Sequence, residues 1–242
     1  MPQHYLRSLS GQQRRSDLNL SLARYLTFVA GAANAGGFLA VQQYTSHMSG
    51  IVASIADNLA LGHYQLVLAS MSALLSFLAG AACTAILVNW GRRKRLQSLF
   101  ALPLVLESLL LLSFGLAGNS VTIVILLCFL MGLQNALITK ISKTEIRTTH
   151  VTGIVTDIGI ELGKLFYWND PSVSQPEGGV RASRDKMRAL SSLLFLFFLG
   201  GIVGAFGFQK VGAFFTIPLA ILLLVLAIVP VWDDITQPRK SP

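Results

Sequence analysis

The sequence predicts an all-α integral membrane protein: six transmembrane helices arranged as two inverted three-helix repeats, each with an extra short motif helix. Three observations carry this expectation. Of the 242 residues, 53% are hydrophobic and only 12% are charged, where a soluble domain carries about 25% charged residues. Basic residues gather in the segments that an even number of crossings would leave on one side. Polar motifs recur in the second half of the chain in the order of the first.

Mean hydropathy is +0.61, and six stretches of about 18 residues or more are long enough to cross a hydrocarbon core of about 30 Å. They are 22–40, 65–90, 100–118, 120–139, 189–208 and 212–232. A formal charge of +8 is compatible with a nucleic-acid partner, but its placement points to topology instead. With a cytoplasmic N-terminus, only Lys210 of the 19 basic residues falls outside, as the positive-inside rule requires. Crossing at 45–62 and 148–165 as well would strand Arg92, Arg93, Lys94 and Arg95 outside, which argues against eight spans.

The domain reading is a cytoplasmic N-terminal tail over 1–20, a first repeat over 21–118, a second repeat over 119–233 and a cytoplasmic C-terminal tail over 234–242. The second repeat contains a polar cytoplasmic loop, 166–188, with Pro171, Pro176, Gly178 and Gly179. The first twenty residues lack an apolar core, so no cleaved signal peptide is expected and the first span serves for targeting. Cys83 and Cys128 lie inside apolar spans and are expected to form no disulfide.

Phe28-Val29-Ala30-Gly31-Ala32-Ala33-Asn34-Ala35 matches Phe129-Leu130-Met131-Gly132-Leu133-Gln134-Asn135-Ala136, and Thr45-Ser46-His47-Met48-Ser49-Gly50-Ile51-Val52 matches Thr148-Thr149-His150-Val151-Thr152-Gly153-Ile154-Val155. Two apolar matches follow: Phe77-Leu78-Ala79-Gly80 with Phe198-Leu199-Gly200-Gly201, and Phe100 to Leu104 with Phe215 to Leu219. Each half therefore holds three spans, and an odd number makes the second copy enter from the opposite face. Inverted repeats of this kind build secondary transporters, with interrupted segments meeting near the midplane.

The motif segments read as short amphipathic helices. Met48, Ile51, Val52, Ile55 and Leu59 share one face, as do Val151, Ile154, Val155, Ile158 and Leu162. They are re-entrant and line a pathway, or they lie on the two membrane surfaces or plug the bundle. Hydroxyl residues at their starts suit N-caps, and the helix N-termini would offer N–H groups to an anion. The substrate-pathway candidates are Asn34, Ser46, His47, Ser49, Asp57, Glu107, Asn135, Thr149, His150, Thr152, Asp157 and Glu161. Asn34 and Asn135 satisfy freed backbone groups or touch a solute. Glu107 sits within the third span, where an ionisable group is costly, and its counterpart is Leu222. Glu107 and Asp157 are candidates for proton titration, and Glu161 and Lys164 can pair. Gly200 and Gly204 suit close helix packing, and Pro103 and Pro218 are expected to bend matched spans.

At Asn34-Ala35-Gly36-Gly37-Phe38 with Thr45 to Gly50, and again at Arg147 to Gly153, the sequence resembles the YoaK-like family, a domain of unknown function (DUF1275). The resemblance covers roughly residues 20–232 and implies a small six-span, mostly bacterial membrane protein without an established activity. Ile51 stands where the family usually has Asn, and His150 where it often has Tyr.

The expected function is a small-solute or ion transporter or channel in the bacterial inner membrane, with both termini cytoplasmic and its pathway at the repeat interface. The rivals are a haem- or metal-binding redox protein using His47 and His150, and a non-catalytic scaffold. No P-loop, G-x-S-x-G elbow or HExxH site is present, so no enzyme is expected. No cofactor or metal is assigned. The expected partners are the lipid bilayer, an unidentified solute or ion and a second copy of the chain; nucleic acid is not among them.

Overall fold

The computed structural model describes residues 2–11, 18–114, 120–142, 148–167 and 180–236. These form α1 (Pro2–Ser10), α2 (Asn19–Val41), α3 (Met48–Ala60), α4 (Tyr64–Arg93), α5 (Ala101–Ser113), α6 (Ser120–Ile141), α7 (Val151–Phe166), α8 (Arg184–Val211) and α9 (Thr216–Thr236), with a short 3₁₀ turn at Gly212–Phe215. No strand occurs among the described residues. Helical stretches long and apolar enough to cross a membrane cover Tyr64–Arg93, Thr122–Ile141 and Arg184–Thr236. The last of these folds at Gly212, whose φ of +59° favours glycine. Of the third expected span, α5 is described, and 115–119 lies outside the described residues.

Breaks fall where the backbone leaves helical space. Gln42 adopts a left-handed conformation at φ +57° after α2, Gly62 turns α3 into α4 at φ +74°, and Arg95 ends the α4 turn at φ +54°. Pro103 and Pro218, expected to bend matched spans, lie at helix starts. Each sits in the first turn of α5 or α9, where the missing N–H would have had no intrahelical partner.

The centre is built by α2, α5, α6 and α9, through residues such as Leu26, Leu104, Leu130, Met131 and Leu223. α8 packs along α2 and α4 along α6, while α5 packs on α9. The two outer crossings are alike atom for atom. A Cβ on Gly31 would meet the carbonyl oxygen of Phe197, and one on Gly200 that of Phe28. In the other half, a Cβ on Gly132 would meet the carbonyl of Phe77, and one on Gly80 that of Phe129. Phe77 and Gly80 therefore correspond to Phe197 and Gly200, one residue earlier than the match read from sequence. The physical reason is facing: Phe198 is 63% exposed, whereas Phe197 turns inward. Leu75, Leu78 and Ile86 of α4, with Phe195 and Phe206 of α8, are exposed too, an apolar outer surface that fits a hydrocarbon solvent.

Hydrogen bonds define one end of the bundle. The Asn19 amide donates to the Ile141 carbonyl, and Arg24 Nε donates to Ser192 Oγ at 2.9 Å. Asp234 accepts from the Gln97 and Ser98 N–H groups at 2.8 Å, closing the turn that precedes α5. The starts of α2, α5 and α8 and the ends of α4, α6 and α9 thus lie together, with Arg92 to Arg95 among them. Phe114, Phe208 and Phe215 stack edge to face at the other end.

The N-terminal segment is not a free tail. Leu9 and Ser10 of α1 are fully buried against α9; Ser10 Oγ donates to the Leu226 carbonyl at 2.6 Å, and Arg7 clasps Asp233 at 2.6 and 2.7 Å. The center of the polar loop, 168–179, and the C-terminal 237–242 lie outside the described residues.

Candidate functional site

Both motif segments start inside the bundle, and a buried amide explains how. Asn34 lies seven residues before the end of α2, about 10 Å along the axis. Its Oδ1 accepts from the Ser46 hydroxyl at 3.2 Å and from the Ser46 N–H at 3.4 Å, so the chain turns back along α2 before α3 begins. Asn135 does the same for the second half. Its Oδ1 accepts from the Thr149 N–H at 3.4 Å, and its Nδ2 donates to Thr149 Oγ1 at 2.6 Å and to the Met131 carbonyl at 2.9 Å. These amides satisfy the backbone that the break sets free.

The hydroxyls expected as N-caps are spent on those amides, so the N-cap residues are His47 and His150, and neither side chain accepts from its helix. Their backbones agree closely, at φ −90°, ψ +70° and φ −83°, ψ +58°. Each imidazole folds over the glycine three residues on. A Cβ at Gly50 would strike the His47 ring, and one at Gly153 the His150 ring. The His-x-x-Gly spacing of both motifs is thus a packing requirement.

Between the motifs lies a cavity of about 960 Å³. The first half contributes Asn34, Ser46, His47 and Ser49, and the second Asn135, Thr149, His150 and Thr152. Phe77 and Phe197, equivalent in the two crossings, line it as well. No Asp, Glu, Lys or Arg among the described residues does so. A second, apolar cavity of about 490 Å³ adjoins it between α2 and α8, sharing Asn34, Tyr44, Val151 and Phe197 and reaching exposed Leu39 and Phe198. Tyr44 stacks on Phe38 there at 4.7 Å.

Eight of the twelve candidate residues therefore meet, and four do not. Asp57 is exposed toward the far end of α3. Asp157 is half-buried on α7 and pairs with Lys186 Nζ at 3.5 Å. Glu161 is buried, not on a polar face, because it fastens α7 to the start of α8. It accepts from the Ser183 N–H at 2.7 Å and pairs with Lys164 at 3.0 Å. The Ser183 N–H, then the Lys164 ammonium, hold its carboxyl below the usual carboxylate range. Glu107 is fully buried behind α6, where Gln134 Nε2 donates to its Oε1 at 2.8 Å and Oε2 has no partner.

Gln134 and Thr148 are functional candidates that sequence reasoning passed over. Thr148 Oγ1 lies 3.4 Å from both Gln134 Oε1 and Asn135 Oδ1. The available signal was asymmetry: Ala33 and Leu222 stand where the second half has Gln134 and the first has Glu107.

A family model described as "Protein of unknown function (DUF1275)" matches residues 22–229, and the chain belongs to that family. No curated protein matches it, and no solved structure does.

Proposed function

We propose that this protein is a six-span inner-membrane transporter or channel for a small solute or ion, built as two inverted repeats with both termini cytoplasmic. One observation carries the reading: two equivalent motif helices, one from each half, begin at a single polar cavity inside an otherwise apolar bundle. The equivalent glycine crossings support the repeat, and the gathering of Arg92 to Arg95 with the N-terminal helix and Asp233 supports a cytoplasmic assignment for that end. In folds of this kind the interrupted segments hold the solute, and rocking of one half exposes it to either side.

The test is a flux screen across a broad solute panel with the full chain in proteoliposomes. Flux above that of empty vesicles is expected, and His47→Ala should reduce it more than His150→Ala, since the family often replaces the second imidazole. Correctly folded protein that moves nothing across the panel, with both variants silent, rejects the reading and favours a scaffold. A haem or metal held by His47 and His150 is the second reading, favoured by their sharing one cavity. No group of three or more His, Cys, Asp or Glu side chains converges among the described residues, so these two imidazoles would be its only such ligands. A Soret band or stoichiometric metal in purified protein would support it.

A further inference from the structure

Glu107 has a setting that no other acidic residue among the described residues shares. It is fully buried, one carboxyl oxygen takes a hydrogen bond from Gln134, and the other has no partner. The helices packed on α5 offer no counter-charge. α9 carries no titratable side chain between Thr216 and Trp232; α6 carries Cys128 and, at its end, Lys140; α4 carries Tyr64 and Cys83 and, at its end, Arg92 and Arg93. None of these forms an ion pair with Glu107. A carboxylate with a single donor in such a place is the costly case, whereas a carboxylic acid is neutral.

The partner of Glu107 leads to the cavity. Gln134 Oε1 faces Thr148 Oγ1 at 3.4 Å, and that hydroxyl is equally distant from Asn135 Oδ1. Thr148 immediately precedes Thr149 and His150, which line the cavity. In the first half Leu222 and Ala33 replace Glu107 and Gln134, and the equivalent Thr45 hydroxyl is buried without a partner. One motif is therefore wired to a carboxyl group, and its symmetry mate is not.

We infer that Glu107 is a proton-binding site whose occupancy sets the position of the second motif segment through Gln134 and Thr148, making the pathway proton-linked. The last clause rests on the transport reading; the proton site does not. In the protonated state Glu107 is neutral, and Thr148 sits between Gln134 and Asn135. When the proton leaves for solvent, the carboxylate carries a full charge with one donor and draws on the nearest hydroxyl and amide. Thr148 then moves from Asn135, and the start of α7 shifts with it.

Two readouts on the reconstituted full chain test this, with Cys83 and Cys128 replaced by Ala. Infrared spectroscopy should show a protonated-carboxyl band in an apolar setting near neutral pH that Glu107→Gln abolishes. The thiol reactivity of Thr152→Cys should change roughly 5-fold or more between about pH 5 and about pH 9, beyond the change seen at the equivalent Ser49→Cys. Glu107→Gln should reduce the change at Thr152→Cys to that seen at Ser49→Cys, which is the ordinary ionisation of a thiol. If Glu107→Gln does not fold, Thr148→Val serves: the band stays and the response at 152 is lost. The proton site is overturned if the wild type lacks the band, and the relay if the response at 152 survives either substitution or is matched at 49. Flux that is independent of pH while both signatures persist overturns the proton linkage of the pathway, and a complete lack of flux with both signatures intact rejects the transport reading alone.

Discussion

A Cβ at Gly200 would run into the carbonyl oxygen of Phe28, and at Gly132 into that of Phe77, so both sites hold two helix backbones in contact. Gly159 and Gly163, by contrast, have nothing within 4 Å. Alanine at Gly200 or Gly132 should therefore destabilise by about 1–3 kcal/mol, the usual cost of overpacking. At Gly159 in α7 it should be neutral or stabilise by up to about 1 kcal/mol through helix propensity. Thermal unfolding in detergent would check the contrast, and similar losses at all three sites would mean that the crossings are not as close as described. Chemistry at single residues also sets an acid limit. Because Glu161 is held below its ordinary range, its bonds to Ser183 and Lys164 stabilise the fold above the unfolded carboxylate range and are lost as pH falls through the depressed value. Protection of the Ser183 amide relative to its intrinsic exchange rate should thus fall below the usual carboxylate range, and Glu161→Gln should bring that loss of protection to neutral pH. The residues that meet at the cavity were legible as a repeated polar pattern, because water-free surroundings leave few other reasons for Ser, His and Asn to recur. Gln134 and Thr148 were not, since nothing local in sequence shows which of two adjacent amides faces a buried carboxyl.

At the scale of elements, α1 separates packing from charge. Arg7 and Asp233 form a close pair, but Arg7 keeps 42% of its side chain exposed, while Leu9 has none. Exposed pairs are worth at most about 1 kcal/mol, and truncating a buried Leu costs about 2–5 kcal/mol. Leu9→Ala should accordingly lower the unfolding temperature clearly more than Arg7→Ala; the reverse order would mean that charge holds α1 on α9. The nine residues of α1 are too few and too polar to announce themselves as a helix, because isolated helices of this length are marginal without a docking partner. The three helical stretches that are long and apolar enough to cross a membrane could be read from hydropathy alone, as about 18 apolar residues admit few alternatives. The proline turns could not, since a proline at the start of a helix and one that bends it look alike until the hydrogen-bond register is known.

Over the whole molecule, the joining of α1, the α4–α5 turn and the end of α9 at one end makes a labelling prediction. Cysteines replacing Gln43 and Gly62 should react from outside intact cells, and one replacing Lys94 only after permeabilisation. External labelling at 94 would end the six-span arrangement. Since His47 and His150 line one cavity, a cysteine pair at these positions should be joined by a short thiol cross-linker. Consistent failure at these and neighbouring pairs would place the motif helices on opposite surfaces, about 30 Å apart.

The sequence by itself determined the apolar, all-helical class and the pair of repeated polar motifs, because hydropathy and repeated motifs are properties of order along the chain. Where the two motifs meet depended on tertiary structure. Whether Phe197 or Phe198 turns inward is a rotation of about 100° on a helix apolar on all sides, and only the backbone contact at Gly200 selects it. The same holds for the acidic residues. Asp57, Glu107, Asp157 and Glu161 look equally available to a pathway in sequence, yet burial behind α6, a bond to Ser183, an ion pair with Lys186 or plain exposure removes each from the cavity. A charge is placed by the donors and apolar walls that surround it, and those come from elements far apart in the chain.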